Sequence, residues 1–322
     1  MLAELAAIPE LKCTENISLS QVTRFAIGGP AQILADASSE DALIAALDAV
    51  RDDPHALIGG GTNLVADDRG FPGVVLRYTA KKIEIDGPAV GGVVHVEAGA
   101  VLQDLVDATI AAGLEGLHTM TGIPGWVGGA VYGNAGAYGH SIHEFVESVR
   151  FFDGVKVREI GNAACEFRYR ESVFKRHKEW IVLQTTLRQP PGDPAALRAA
   201  ADGILKVRNE KYPPTMRCAG SIFKNLILAE LPNAVRAQVP ERVIREGKVP
   251  SAYFLELAGA KGMALGGVQV ADYHANLIYN AGGGTAKQVR ELIETLKHRV
   301  SHLCGFVLEE EVQYLTATSS LP

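Results

Sequence analysis

One stretch of the chain decides the fold: GIPGWVGGAVYGNAGAYG, residues 122–139. Seven of its eighteen residues are glycine, which is too many for an ordinary helix or strand, so we expect an irregular loop. Glycine lets backbone N–H groups approach an anion closely, because no Cβ intervenes. Aromatic and amide side chains stand among the glycines: Trp126, Tyr132, Asn134 and Tyr138. This mixture suits a large planar ligand that carries a diphosphate.

A second glycine loop, GGGTN at residues 59–63, follows a predicted strand at 56–58. It is not a Walker loop, since no Lys-Ser/Thr pair follows. It is not a Rossmann fingerprint either, since Leu64 stands where the third glycine belongs. A single loop of this kind is more often a tight connection in a glycine-rich fold. Two dense loops in adjacent segments favour a dinucleotide.

Composition bounds the class of protein. The 322 residues favour two or three domains, and 47% hydrophobic with 21% charged residues is typical of a globular protein with a core. A net charge of −6 does not suggest a surface that binds nucleic acid. The apolar runs are too short to span a membrane. The N-terminus has no basic region of a signal peptide and suits a short amphipathic helix. Four scattered cysteines indicate reduced thiols in the cytoplasm, and no obligate protein partner is evident.

The first 80 residues predict a β-α-β unit around the first glycine loop. Two short strands are expected in residues 21–36, around a turn at 28–30. Ser38 and Asp41 have capping-box spacing at the start of a helix, and residues 73–78 read as a further strand.

The rest of the chain predicts a mixed α+β arrangement. Strands are expected at 83–85, 94–96, 146–152, 181–187, 268–270 and 277–279, and helices at 102–110 and 195–209. Thr285 and Gln288 form a capping box that opens the clearest helix, which Gly305 ends. A closing strand is expected from residue 306, and residues 226–249 predict no regular structure.

Three polar stretches stand out, at residues 167–175, 217–225 and 308–312. Ser221 in the second stretch is not a hydrolase nucleophile elbow, because Phe223 occupies the position of the second glycine. Taken separately, the stretches fit a solvated strand, a turn and an acidic end, and spacing alone cannot bring them together. Two histidine pairs, 140/143 and 298/302, have ligand-like spacing but no evident third ligand, so no metal is expected.

Six motifs together resemble the flavoenzyme family of UDP-N-acetylenolpyruvoylglucosamine reductases (MurB) of bacterial cell-wall synthesis. Each motif is weak alone, but the six occur in the family's order, and the resemblance runs from about residue 16 to about residue 315. The motifs are GGGTNLV (59–65), GIPGWVGGAVYGNAGAYG (122–139), CEFRYRESVFK (165–175), AGSIFKN (219–225), AKGMALGGVQV (260–270) and LEEEV (308–312).

The resemblance implies an α+β protein that holds FAD between two N-terminal subdomains of the vanillyl-alcohol-oxidase type. A C-terminal α/β domain would close over the sugar nucleotide. We expect the first subdomain at residues 1–78, the second at 79–206 and the substrate domain at 207–322. The two glycine loops would hold the FAD diphosphate and flank the isoalloxazine.

The resemblance also implies a reaction. NADPH would reduce FAD, and flavin N5 would pass hydride to the enolpyruvyl ether of UDP-N-acetylglucosamine enolpyruvate, giving UDP-N-acetylmuramate. Ser221 matches the family's proton donor, which can serve a carbanion-like centre if its geometry is fixed. Arg170 and Glu311 match the residues that polarise the substrate carboxylate and stabilise the enol. Glu311 can lie beside that carboxylate only if it is protonated or bridged by a donor.

The resemblance extends to the binding residues. The expected cofactor-binding residues are Gly59, Gly60, Gly61, Thr62, Asn63, Leu64, Gly122, Ile123, Pro124, Gly125, Gly128, Gly129, Ala130, Asn134, Gly136, Ala137 and Tyr138. The expected substrate-binding residues are Tyr169, Lys224, Asn225, Lys261 and His274, although a structural role for His274 is the more common alternative.

The chain departs from the family pattern at several points. Leu226 and Glu310 stand where the family usually has proline, which leaves the local backbone open. Residues 184–206 are short and contain no tyrosine, as in the form of the family that lacks a tyrosine-bearing substrate loop. We expect residues 226–249 to replace that loop in part, as a lid.

Two other functions fit parts of the pattern. Another FAD oxidase or dehydrogenase of the same fold would share the glycine loops, but it would have no reason to combine Arg170, Ser221 and Glu311. A sugar-nucleotide binder without flavin would be colourless, whereas a flavoenzyme is yellow. The three catalytic matches favour the reductase.

Overall fold

The computed structural model describes residues 2–87 and 91–316. These residues form three larger sheets, in order along the chain, and three two-stranded sheets. Among them, no helix combines the length and the apolar character needed to cross a bilayer. Helices and strands are mixed throughout, as expected for an α+β protein.

The first sheet is built from the N-terminal section. This section comprises α1 (Leu2–Ala6), β1 (Leu11–Ser18), β2 (Pro30–Ala37), α2 (Glu40–Ala49), β3 (His55–Leu57), β4 (Leu64–Ala66) and β5 (Phe71–Tyr78). The strand order is β1-β2-β5-β3, with β1 antiparallel to β2 and with β2, β5 and β3 parallel. The predicted β-α-β unit is therefore present.

Two predictions in this section were wrong in detail. The partner of β2 is β1. Gln21 ends a short 3-10 helix (Leu19–Gln21), and residues 22–29 form a loop in which Thr23 Oγ1 donates to Ile27 O at 3.0 Å. Phe25 and Ile27 look strand-like because they are buried, but they are buried in the core of the C-terminal section. Ser39, not Ser38, caps helix α2, accepting a hydrogen bond from the Ala42 N–H.

The second sheet is five-stranded and antiparallel, in the order β11-β10-β12-β7-β6. Its section comprises β6 (Ile83–Asp86), β7 (Gly92–Glu97), α3 (Leu102–Ala111), α4 (Val127–Tyr132), β8 (Gly136–Ala137), β9 (His140–Ser141), β10 (Val146–Phe152), β11 (Val157–Gly161), α5 (Val173–Arg176), β12 (Ile181–Gln189) and α6 (Pro194–Lys211). Alternate residues of β7 are buried against α3 and α4. The strand from 181 leads directly into α6, as expected for a chain without an inserted loop.

The prediction that residues 122–139 contain no helix was wrong. Helix α4 occupies Val127–Tyr132, with Val127, Ala130 and Val131 buried. Gly128 permits it, because a Cβ there would lie 2.9 Å from the Cβ of Ala98. Glycine therefore serves close packing here as well as loop formation.

The third sheet belongs to the C-terminal section, in the order β13-β18-β17-β16. The section comprises β13 (Cys218–Ser221), β14 (Leu226–Ile227), α7 (Asn233–Arg236), β15 (Lys248–Val249), α8 (Ser251–Leu257), β16 (Ala264–Leu265), β17 (Val268–Val270), β18 (Leu277–Asn280), α9 (Ala286–Cys304) and β19 (Gln313–Leu315). Helix α9 begins at the predicted Thr285–Gln288 capping box and ends at Gly305, whose φ is 75°. Six apolar residues of α9 are buried in this section's core.

The closing strand was predicted too early. Residues 306–308 are irregular, and the strand is β19, which pairs in parallel with β4 of the first section. This pairing places residues 313–315 beside the strand that directly follows the first glycine loop. The strands of the three larger sheets lie within residues 11–78, 83–189 and 218–280, and helix α6 (Pro194–Lys211) lies between the second and the third of these ranges.

Candidate active site

A cavity of about 720 Å³ lies where the three sections meet. Its walls come from both glycine loops, from residues 170–182, from the stretch 208–221 and from residues 311–315. This volume is in the usual range for sites that hold small molecules and cofactors.

The first glycine loop lines the cavity along its whole length, residues 59–64. Gly61 has a φ of 64°, and a Cβ there would lie 2.1 Å from Val22 O, so the turn requires glycine. Asn63 Nδ2 donates to Glu311 O at 2.9 Å. The loop is therefore tied both to its own section and to the C-terminal stretch.

The second glycine loop meets the first. Thr62 Oγ1 donates to Pro124 O at 3.3 Å, and Gly125, with a φ of 125°, faces the same hydroxyl. Seven of the predicted cofactor residues in this loop line the cavity: Ile123, Pro124, Gly125, Gly128, Gly129, Ala130 and Gly136. The other four are not among the residues that line the cavity: Gly122, Asn134, Ala137 and Tyr138.

The cradle fits a dinucleotide such as FAD. A Cβ built on Gly59 or on Gly129 would meet no atom within 4 Å, and both residues line the cavity. Their bare backbones therefore face open space that a ligand can fill. The Trp126 ring lies against Gly60, where a Cβ would be 3.1 Å from Trp126 Cδ1, so an aromatic face borders the same space.

Arg170 and Glu311 meet in the cavity wall, with Arg170 Nε 2.8 Å from Glu311 Oε1. The ion pair is close, although its angle falls short of a regular hydrogen bond. The rest of the Arg170 fork donates to Gly136 O at 3.1 Å and to Asn134 O at 3.4 Å. Arg170 itself has a φ of 57°, a backbone conformation that is uncommon for non-glycine residues and frequent at functional sites.

Ser221 lines the same cavity and follows a local irregularity in β13. Gly220 has a φ of 73°, and the pairing of β13 with β18 shifts register between Cys218 and Ser221. Bulges of this kind re-aim side chains next to active sites.

The stretch 308–312 runs beside the residues that follow Ser221. The Glu311 N–H donates to Ile222 O at 2.7 Å, and the Lys224 N–H donates to Glu309 O at 2.9 Å. These backbone bonds explain how Ser221 and Glu311 reach one cavity. Local sequence spacing could not predict them.

Lys224 is 7% exposed, and carboxylates surround its ammonium group. Its Nζ donates to Glu171 Oε1 at 2.7 Å and also contacts Glu309. Burial alone would lower the pKa of Lys224, but the hydrogen bonds that its ammonium donates to Glu171 and Glu309 outweigh burial and raise the pKa above its ordinary value. Lys224 is therefore a buried cation held between the carboxylates of Glu171 and Glu309.

The other predicted substrate residues are dispersed. The Asn225 N–H donates to the Tyr169 hydroxyl at 3.2 Å, next to Lys224. Lys261 Nζ pairs with Glu256 at 3.1 Å, and His274 is 9% exposed behind Ser221. None of the five residues predicted to bind substrate is among the residues that line the cavity: Tyr169, Lys224, Asn225, Lys261 and His274.

Sequence reasoning missed Arg208 and Tyr212, which line the cavity from the end of α6. Burial lowers the pKa of Arg208, and its Nε has no hydrogen-bond partner among the described residues. The guanidinium lies 5.7 Å from the Tyr212 ring centre. The i, i+4 spacing just before the Ser221 stretch was the signal that could have found this pair. Lys175, Lys178 and Trp180 also line the cavity.

In residues 2–87 and 91–316, no cluster of three or more histidine, cysteine or acidic side chains could hold a metal ion. His140 instead pairs with Glu144 at 2.8 Å. The two histidines 298 and 302 lie on α9, away from the cavity between the glycine loops.

The fold and the cradle define an FAD-binding protein, and a family model described as the FAD binding domain matches residues 31–155. A second model, described as the C-terminal domain of UDP-N-acetylenolpyruvoylglucosamine reductase, matches residues 212–315.

Relatives specify the family. The chain is 54% identical over 313 residues to the UDP-N-acetylenolpyruvoylglucosamine reductase of Solibacter usitatus, covering 97% of this chain and 99% of the relative. It is 35% identical to the enzyme of the same name from Methylorubrum populi, covering 98% and 96%. The chain belongs to the UDP-N-acetylenolpyruvoylglucosamine reductase family.

The structural comparison agrees. The crystal structure of UDP-N-acetylenolpyruvylglucosamine reductase from Thermus caldophilus matches with a TM-score of 0.73 at 25% identity, covering 94% of this chain and 98% of that one. The expected fold class is confirmed: a two-subdomain FAD-binding fold of the vanillyl-alcohol-oxidase type with a C-terminal α/β domain. FAD is accordingly the cofactor of this chain.

Proposed function

We propose that this protein is a UDP-N-acetylmuramate dehydrogenase of peptidoglycan precursor synthesis. It would reduce the enolpyruvyl ether of UDP-N-acetylglucosamine enolpyruvate to UDP-N-acetylmuramate, with NADPH as the reductant. The names of its relatives supply the substrate class. The observation that carries the proposal is the convergence of Arg170, Ser221 and Glu311 on the cavity that the two glycine loops border.

Ser221 is the proposed proton donor to the substrate carbon. Ser221 lines the cavity at the irregularity in β13, and its place on a paired strand would supply the fixed geometry that so weak an acid needs. The proton must reach a carbon that becomes strongly basic during reduction, so the serine does not need to ionise beforehand.

Arg170 and Glu311 are proposed to hold the enolpyruvyl carboxylate and to stabilise the enol. The Arg170 fork is permanently charged and suits a carboxylate. Arg170 also bridges Glu311, so the glutamate can stay near a second carboxylate without direct repulsion. Charge that develops in the transition state therefore meets groups that are already oriented.

Bound FAD would supply the two-electron chemistry. The proposed cofactor residues are the two loop sets predicted from sequence, residues 59–64 and the eleven residues of 122–138 named there. The lining positions provide open backbone. Two of the other four positions contact neighbouring residues: Asn134 Nδ2 donates to Arg168 O at 2.8 Å, and Tyr138 contacts Arg208.

Lys224 is the proposed contact for an anionic part of the substrate, with Tyr169 and Asn225 beside it. Lys261 and His274 remain predicted substrate contacts that would need movement of the C-terminal section. The predicted division at residues 78 and 206 also remains a proposal, supported by the grouping of the three sheets. The four cysteines are unpaired, which fits the proposed cytoplasmic location.

An anaerobic titration followed by absorbance tests the function. NADPH is added to the purified yellow protein until the flavin bands bleach, and UDP-N-acetylglucosamine enolpyruvate is then added. Recovery of the oxidised spectrum is the expected result. Bleaching without recovery would remove the substrate assignment and favour another dehydrogenase. A protein with no flavin to bleach even after FAD is added would contradict the reading of the glycine loops.

A further inference from the structure

Two aromatic side chains, Tyr212 and His274, form a row with Ser221; Tyr212 lines the cavity beside Ser221, and His274 does not. The Tyr212 hydroxyl lies 3.2 Å from Ser221 Oγ and 3.4 Å from His274 Nε2. Both contacts are long, as catalytic hydrogen bonds often are before the substrate is bound. Tyr212 comes from the end of α6 and His274 from the loop before β18, so the fold assembles this row from separate elements.

The hydrogen bonds along the row all run the same way, from donor to acceptor, and the first donor is a backbone N–H group. The Asn276 N–H donates to His274 Nδ1 at 3.2 Å, so Nδ1 must be the unprotonated nitrogen. Burial, followed by the charge of Lys211, lowers the pKa of His274 to about 4, and the ring is therefore neutral at neutral pH. A neutral imidazole with a bare Nδ1 carries its proton on Nε2.

These hydrogen bonds then leave a single orientation for the proton of each hydroxyl in the row. His274 Nε2–H donates to the Tyr212 oxygen, which leaves the Tyr212 proton to be donated to Ser221 Oγ. Ser221 Oγ accepts that bond, so its own proton is free to point into the cavity that it lines. The backbone N–H of Asn276 thus orients the Ser221 hydroxyl through two side chains.

We propose that Tyr212 and His274 are positioning residues that direct the Ser221 proton toward the substrate and that Tyr212 then restores it. This inference rests on the proposed function, in which Ser221 is the proton donor. The substrate carbon gains the Ser221 proton, Ser221 Oγ gains the Tyr212 proton, and the Tyr212 oxygen gains a proton from water. In sum, one solvent proton reaches the substrate and every residue returns to its starting state.

The relative acidities favour this order. A serine that has donated its proton is left with a strongly basic oxygen, whereas a tyrosine hydroxyl has a pKa near 10 in water. Burial raises the pKa of Tyr212, and the Ser221 hydrogen bond and the nearby Arg208 act in the opposite direction. Arg208, 5.7 Å from the ring centre, is placed to stabilise the transient negative charge.

Tyr212→Phe tests the proposal, because it removes the hydroxyl and keeps the ring that faces Arg208. We expect the reoxidation of reduced flavin by the enolpyruvyl substrate to slow about 10- to 100-fold, the range for losing a hydrogen bond to a charged group. Flavin reduction by NADPH should stay near the wild-type rate. The solvent deuterium isotope effect on reoxidation should rise, because proton delivery becomes more strongly rate-limiting.

Tyr273→Phe is the matched control. Tyr273 is 47% exposed, and its hydroxyl donates to Lys211 O at 3.1 Å, outside the row. The substitution removes a tyrosine hydroxyl from the residue next to His274 in the sequence. Both half-reactions should keep their wild-type rates and isotope effects.

His274→Leu and the double variant with Tyr212→Phe test whether the row acts as a unit. His274→Leu should slow reoxidation in the same direction, and the double variant should be no slower than Tyr212→Phe alone. Additive losses, an unchanged isotope effect or equal slowing of both half-reactions would overturn the inference.

Ser221→Ala distinguishes a failure of this inference from a failure of the proposed function. If wild type turns over the substrate and Ser221→Ala does not, but Tyr212→Phe behaves as wild type, the proposed function stands and this inference fails. If wild type bleaches with NADPH and never reoxidises with the substrate, the proposed function fails and the inference with it.

Discussion

Arg170 Nε lies 2.8 Å from Glu311 Oε1, although the two residues belong to the second and third sections of the chain. The pair is partly buried, with 23% and 22% of the side chains exposed. Main-chain oxygens of Asn134 and Gly136 hold the far side of the guanidinium. The contact therefore links the second glycine loop to the C-terminal stretch at the point where the proposed chemistry occurs.

Glu311→Gln keeps the shape of this contact and removes its negative charge. We expect reoxidation of the flavin by the enolpyruvyl substrate to slow about 10²- to 10³-fold, the typical loss when a group that stabilises transition-state charge is removed. Flavin reduction by NADPH should change little, because the Arg170 fork keeps its two carbonyl partners. Stopped-flow absorbance measures each half-reaction separately.

Glu310→Gln is the control for the glutamate change. Glu310 points to Lys297, 2.9 Å away, and to the Tyr314 hydroxyl, so its substitution should affect stability more than reoxidation. If both variants slow both half-reactions equally, Glu311 has a structural role and the catalytic assignment is wrong.

Gly129→Ala places a methyl group in the open space of the cradle. The added Cβ meets no atom within 4 Å, and alanine stabilises a helix interior relative to glycine by about 0.5–1 kcal/mol. The melting temperature of the apoprotein should therefore stay equal or rise. FAD affinity should fall, because the Cβ occupies space that the cofactor needs. Quenching of FAD fluorescence during titration of the apoprotein measures this affinity.

Gly128→Ala, one residue earlier in α4, gives the opposite pattern. Its Cβ would lie 2.9 Å from Ala98 Cβ and 3.2 Å from Ala98 O, so the helix must shift, at a cost of about 1–3 kcal/mol. The apoprotein should melt at a lower temperature. Wild-type FAD affinity in Gly129→Ala would show that this face of α4 does not border the cofactor.

Local patterns were sufficient for much of the fold. Helix α9 was predicted from its capping box, its apolar face and Gly305, and β7 from the spacing of its valines. Strands β10 and β12 were also expected, near residues 146–152 and 181–187. Both glycine loops were located because so many glycines in a short stretch indicate a backbone conformation or a close approach that other residues do not permit. Each of these signals lies within a few neighbouring residues, so it can be recognised in a single sequence without knowledge of the tertiary structure.

Long-range pairing could not be predicted in the same way. Nothing local in residues 313–315 specifies β4 as their partner. The apolar side chains of Phe25 and Ile27 indicate that these residues are buried, but they do not indicate which part of the protein covers them. The resemblance united Arg170, Ser221 and Glu311, whereas their spacing could not. The row from Asn276 to Ser221 has no motif at all, because it depends on the tautomer of one histidine.

Glu171 provides a pH-dependent contribution to stability. Burial alone would raise the pKa of Glu171, but hydrogen bonds from Lys224 and Lys175 outweigh it and hold the pKa below its ordinary value. The stabilisation is therefore complete above the unfolded-state pKa, about 4.3, and is lost as the pH falls through the lower folded-state pKa. Glu171→Gln should lower the free energy of unfolding at about pH 7 by at most about 1 kcal/mol, since the carboxylate is 36% exposed.

The difference between wild type and Glu171→Gln should shrink at about pH 3, and urea unfolding at both pH values measures it. Glu166→Gln is the control, since Glu166 pairs with Arg176 on the surface and is about half exposed. It should change the free energy of unfolding little at either pH. A Glu171→Gln difference that grows on acidification would contradict the sign of the pKa shift.

Residues 226–249 contact both the second glycine loop and the substrate side. A Cβ on Gly139 would lie 2.8 Å from Glu246 Oε1, and Lys248 Nζ lies 4.9 Å from the Tyr169 ring centre. Strands β14 and β15 pair at the base of this segment, where the Leu228 N–H donates to Gly247 O at 2.9 Å. The segment is thus a loop closed at its base, as a lid requires.

Deleting residues 230–246 should raise KM for the enolpyruvyl substrate and leave flavin reduction by NADPH nearly unchanged. The deletion joins chain ends that the β14–β15 pair already holds together, but it removes Leu231 and Val239 from the core, so the melting temperature should fall. Glu246→Ala removes the contact with the glycine loop without that loss, and it should raise KM to a smaller extent at an unchanged melting temperature. A wild-type KM in both variants would mean that the segment is a structural connection and that substrate enclosure depends on other residues.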